Sequence, residues 1–147
     1  MALDSEVHNN AQRFVLLAPT IITAAAAGVV TLPITKLAGM TYLLVQSVFV
    51  YGSGGTTFKV WVQTSMDGGT KWADIMNFPF LTASSTQLAF VSLFSSTIAA
   101  PLVPTDGTSA DNAIQNGVLG TWLRLKYTST GTYGGSTTIA VTGVVKN

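Results

Sequence analysis

A chain of 147 residues has room for one domain with a sizeable core. Apolar residues make up 48% and charged residues 9%, against roughly 25% charged in an ordinary domain, and the mean hydropathy is +0.45. The net charge of +1 comes with scattered Lys and Arg, which excludes the basic patch that nucleic acid needs, and the lack of cysteine excludes disulfides and thiolate metal sites. So much apolar surface with so little charge calls for cover by a partner.

Residues 1–13 are polar and read as an arm, with His8 alone in it. The largely apolar residues 14–33 follow. Asp4 and Glu6 offset Arg13, so the basic leader of a signal peptide is missing, and Pro19 and several Thr break up a membrane helix. The expected partner is therefore protein, with neither nucleic acid nor membrane. Phe14, Leu16 and Leu17 form a short apolar run closed by Pro19. Residues 20–24 and 29–34 are rich in β-branched side chains. The four alanines between them favour helix, but the flanking Thr, Val and Ile favour strand, and strand is the reading. Residues 40–51 predict the longest strand, with Leu43, Val45 and Phe49 on one face and Tyr42, Leu44 and Val48 on the other. Two apolar faces mean burial on both sides, one of them by the core and the other by this chain or a neighbour.

Residues 52–55 are a glycine-rich loop. In residues 56–64, Phe58, Val60 and Val62 alternate with Lys59, Trp61 and Gln63, which places Trp61 on the wetter face, either partly covered by a loop or open to a sugar or a subunit contact. The next stretch is a hairpin turn, in which Asp67 folds back on the backbone and Gly68 and Gly69 supply positive φ. Ser65, Asp67, Gly69 and Trp72 resemble the Asp-box, S-x-D-x-G-x-T-W, with Lys71 in place of its Thr. That resemblance implies a structural turn. Strands are predicted over residues 72–80, broken by Pro79, and over residues 87–94.

Residues 95–120 are long for a hairpin loop. A short helix is expected over residues 109–116, with Ser109 as its N-cap. Ile98, Leu102, Val103 and Ile114 sit there among Pro, Gly and Asp without strand alternation. Together with Phe14, Leu16, Leu17, Trp61 and Trp122 they are the candidate interface, expected to lie against neighbouring subunits. Residues 121–128 alternate again, with Leu123, Leu125 and Tyr127 inward and Trp122, Arg124 and Lys126 outward. A final strand spans residues 136–145, and no repeat organises the chain.

Little in this pattern points to catalysis. Ser and Thr are many, but the lone His lies in the arm, and no two carboxylates occupy adjacent strand positions. Asp106 and Asp111 could offer calcium two loop carboxylates, although solvated side chains are the commoner outcome. The GSGG stretch lacks the strand–GxxxxGK–helix setting of a phosphate loop. No catalytic residue, cofactor or metal is expected.

Residues 58–65 (FKVWVQTS), then Asp67, Gly68 and Gly69, then Trp72, Ala73, Asp74 and Ile75 resemble a family of small tailed-phage virion proteins. The strand through Leu123, Arg124, Leu125, Lys126 and Tyr127 and the last strand fit as well, so the likeness spans residues 40–147. It implies a capsid decoration or accessory head protein on the virion surface, assembled in the host cytoplasm, with itself and the major capsid protein as partners. The expected fold is one all-β domain over residues 14–147, an antiparallel β-sandwich of about eight strands, jelly-roll-like or immunoglobulin-like. A homo-oligomer is expected, a trimer first. The alternatives are a carbohydrate- or receptor-binding module of a spike or fibre, using Trp61 and Trp122, and a neck or tail component.

Overall fold

The computed structural model describes residues 11–94 and 100–147. Its strands are β1 (Ala11–Ile21), β2 (Val29–Val30), β3 (Tyr42–Val50), β4 (Ser53–Gly54), β5 (Thr57–Ser65), β6 (Ala73–Phe80), β7 (Ser85–Ser92), β8 (Trp122–Thr130), β9 (Tyr133–Gly134) and β10 (Thr138–Lys146). Eight of these ten form two four-stranded sheets, ordered β1-β10-β3-β7 and β2-β8-β5-β6, while β4 and β9 pair as a small third sheet. All pairings are antiparallel.

The order of the eight sandwich strands decides between the two expected architectures. The first pairs with the last, the second with the seventh, the third with the sixth and the fourth with the fifth. That is one long hairpin wrapped into two sheets, the jelly roll. The core lies between the sheets, where period-two alternation delivers one face of every long strand. Phe49 is its aromatic centre, stacked on Phe80 at 5.0 Å and Phe58 at 5.8 Å, with Tyr133 edge-on at 5.7 Å.

Several local expectations are corrected. Ala11, Gln12 and Arg13, read as arm, pair with Lys146, Val145 and Val144 in β1. Pro19 does not close that strand, because β1 lies at a sheet edge and absorbs the proline beside a register shift. The strand expected over residues 29–34 shrinks to Val29–Val30 plus one bridge from Ile34 to Leu123. The helix over residues 109–116 does not form. Asn112 takes φ of 61°, and the backbone there bonds to β6 instead, through Asn77 N–H to Ala113 O (2.9 Å) and Gln115 N–H to Ile75 O (2.8 Å). Residues 1–10, with His8, Asp4 and Glu6, and residues 95–99, with Ile98, lie outside the described residues.

Candidate functional site

The Asp-box residues build the turn that their chemistry suggests. Ser65 Oγ donates to Asp67 Oδ1 (2.9 Å) and accepts from Gly69 N–H (3.0 Å). Asp67 Oδ1 also accepts from Lys71 N–H (2.8 Å), and Trp72 Nε1 donates to Gly69 O (2.9 Å). The amide of Lys71 does most to hold the Asp67 carboxyl below its usual range. Gly68 and Gly69 have φ of 68° and 87°. A side chain at Gly69 would collide with the Trp122 ring, which lies against the turn.

The outer face of the β2-β8-β5-β6 sheet carries the densest polar network. Gln63 on β5 faces Asp74 on β6 and Arg124 on β8. Its amide donates to Asp74 Oδ1 (2.7 Å) and Asp106 Oδ1 (3.1 Å), and its Oε1 accepts from Arg124 Nε (2.8 Å). Arg124 lies 4.1 Å over the Trp72 ring, a cation–π contact, and also pairs with Asp106 at 2.9 Å. Lys126 Nζ reaches Asp106 O at 2.8 Å.

Residues 104–112 lie as a strap across this face, anchored on Asp74. The Asp74 carboxylate accepts from Thr105 Oγ1 (2.5 Å) and from the N–H groups of Gly107 (2.7 Å), Thr108 (3.1 Å) and Ser109 (3.1 Å). Burial pushes its pKa up, but the bonds from Thr105, Gln63 and the amides of Ser109 and Gly107 outweigh that and hold it below the ordinary 3.8. Gly107, at φ of 90°, packs against the Lys126 stem, and Lys59 ties the far end at Asp111 Oδ1 (2.6 Å). With both oxygens filled by donors, Asp74 acts as a structural clamp.

This geometry relocates much of the candidate interface. Leu16 is buried in the core, Phe14 and Leu17 pack against it, and the Phe14 ring fills the space that Gly143 leaves free. Trp61, expected on the wetter face, is only 6% exposed and donates from Nε1 to Ser109 O in the strap (3.3 Å). Of the two readings open for Trp61, cover by a loop of its own domain and a sugar or subunit contact, the strap supplies the first. Ile114 bridges Met76 along the edge of β6 yet stays half exposed, as does Leu102 in part, while Val103 is 74% exposed. Asp106 and Asp111, the calcium candidates, are engaged by Arg124, Lys126 and Lys59 instead. Among the described residues no group of three or more His, Cys, Asp or Glu is placed to hold a metal. The roles of Asp74 and Gln63 escaped the sequence reading. The available signal was a carboxylate in the largely apolar strand ADIMNFPF, which must find donors when buried.

No family model matches the chain, and no curated protein matches it.

Proposed function

We propose that this chain is a non-enzymatic structural protein of a phage virion, of the capsid decoration or accessory head type. It self-associates and docks across capsid subunits by the outer face of the β1-β10-β3-β7 sheet. The observation that carries the reading is the apolar character of that face. Val15 (53% exposed), Val50 and Leu88 project from it, Leu44 and Val48 are half buried, and Phe90 stacks on Tyr42 at 5.7 Å. Its described charged side chains are Arg13 and Lys146, with no carboxylate among them. Gln46 and Thr142 lie paired among these side chains, and exposed apolar groups gathered with so little charge mark a protein contact. The resemblance in residues 58–75 supports the phage assignment. Jelly rolls serve viral shells and lectins alike, so the fold by itself does not choose between them. The burial of Trp61 beneath the strap removes one of the two stacking platforms that a sugar-binding module would use.

The test is co-sedimentation with capsid shells stripped of this chain, together with the native mass. Saturable binding in many copies per shell is expected, and a native mass that is a multiple of 15.4 kDa. A micromolar monomer that leaves the shells bare would sink the reading.

A further inference from the structure

The sandwich has four outer strand edges, and three are blunted. The edge of β6 is bonded to residues 113–115, β2 has two residues, and β1 carries Pro19 and two register shifts. The fourth edge, β7, has none of these protections among the described residues. Its register with β3 runs unbroken from Tyr42↔Ser92 to Phe49↔Ser85, and its sequence STQLAFVS contains no charge and no proline.

The direction of its free hydrogen-bonding groups can be read from its end. Leu93 N–H donates inward to Thr41 O (2.9 Å), so the odd-numbered residues bond to β3. Ser92 N–H turns the other way and donates to Asn116 Oδ1 (2.8 Å). By the same alternation Thr86, Leu88 and Phe90 turn N–H and C=O away from the sheet, and none has a backbone partner among the described residues. The side chains of Leu88 (59% exposed) and Phe90 (50%) stand on the apolar outer face beside that edge.

We propose that β7 pairs antiparallel with β7 of a second copy, about a two-fold axis at Leu88, joining the two outer sheets into one. This deepens the self-association proposed above and rests on it. A strand that meets itself antiparallel is self-complementary, as a two-fold contact requires. No charge on β7 repels its own copy or selects a foreign strand. Because Asn116 already occupies Ser92 N–H, the favoured register uses the three free residues, with Leu88 opposite Leu88 and Thr86 opposite Phe90. Each such pair exchanges both backbone bonds and puts its side chains on one face. The two apolar outer faces then become continuous. The blunted remaining edges close the assembly at two copies, so a two-fold pair replaces the expected trimer as the proposed building unit.

Amide hydrogen exchange at several protein concentrations, with sedimentation of wild type and Leu88→Pro, tests this. Leu88→Pro deletes an outward N–H and no bond to β3. The wild type is expected at twice 15.4 kDa, and the variant at that mass once with an unchanged far-UV spectrum. Exchange at Thr86, Leu88 and Phe90 is expected to slow by on the order of tenfold or more as the pair forms, while Ala89 and Val91 stay unchanged. If Leu88→Pro fails to fold, Leu88→Lys places like charges opposite each other across the axis and must also give a monomer. Exchange at these amides that ignores concentration would overturn the pairing, as would an oligomer that survives Leu88→Lys. A monomeric wild type that still coats shells overturns the pairing and leaves shell docking in place. A pair formed through these amides that leaves shells bare supports the pairing and overturns shell docking.

Discussion

A carboxylate buried near the start of a strand gives up its water, and Asp74 recovers the loss through one hydroxyl, one side-chain amide and the N–H groups of Gly107, Thr108 and Ser109. Asp74→Asn puts an NH2 where acceptors are required, and it should lower stability by about 2 kcal/mol, the scale of a hydrogen-bonded charge. Urea unfolding would measure it, and Trp61 fluorescence should shift red as the strap loosens. Because the folded pKa is depressed, the contribution of Asp74 is complete above its ordinary 3.8 and is lost as pH falls from there through the folded value. That acid-side loss should be smaller in Asp74→Asn, read as a flatter fall of the urea midpoint with acidification. Ser47 presents the opposite case. Its hydroxyl is buried in the core without a partner among the described residues. Ser47→Ala should therefore stabilise the protein by about 1 kcal/mol, visible as a raised urea midpoint.

Among the elements, the strap of residues 104–112 behaves least like the loop that its composition suggests. Its Pro, Gly and Thr residues lack periodicity, yet Asp74, Lys59 and Trp61 each hold part of it. The amides of Gly107, Thr108 and Ser109 should therefore exchange slowly in the isolated protein, without any partner. Rapid exchange there would show that the strap orders only on assembly. The Asp-box turn was legible because its bonds run between residues at most four apart. The strap was not, because Gly107 reaches Asp74 across 33 residues. The helix expected over residues 109–116 failed for a related reason: the free edge of β6 offers its backbone a better partner than a short isolated helix would.

For the whole molecule, the two sheets differ in what covers them. One outer face is closed by the chain's own strap, and the other stays apolar and bare among the described residues. Val48 lies near the middle of that bare face. Val48→Lys should leave thermal stability almost unchanged, since a lysine can lay its stem along the sheet and keep its charge in water. Binding to stripped shells should nevertheless fall at least about tenfold, the effect of about 1.4 kcal/mol at a contact. Equal binding by wild type and Val48→Lys would move the docking surface to the strap side of the sandwich.

The alternation of Phe58, Val60 and Val62, of Leu123 and Leu125, and of Ile139, Val141 and Val145 determined the class of fold, because side chains in a strand must alternate between faces. The chemistry of Ser65, Asp67 and Gly69 determined the turn in the same local way. Alternation states that two faces differ; it does not state what lies over each. The wrapped pairing order, the burial of Trp61, the role of Asp74 and a β7 edge left bare among the described residues were decided by the tertiary structure alone. Each depends on which distant segment arrives at a face or an edge, and that is settled by packing over the whole chain.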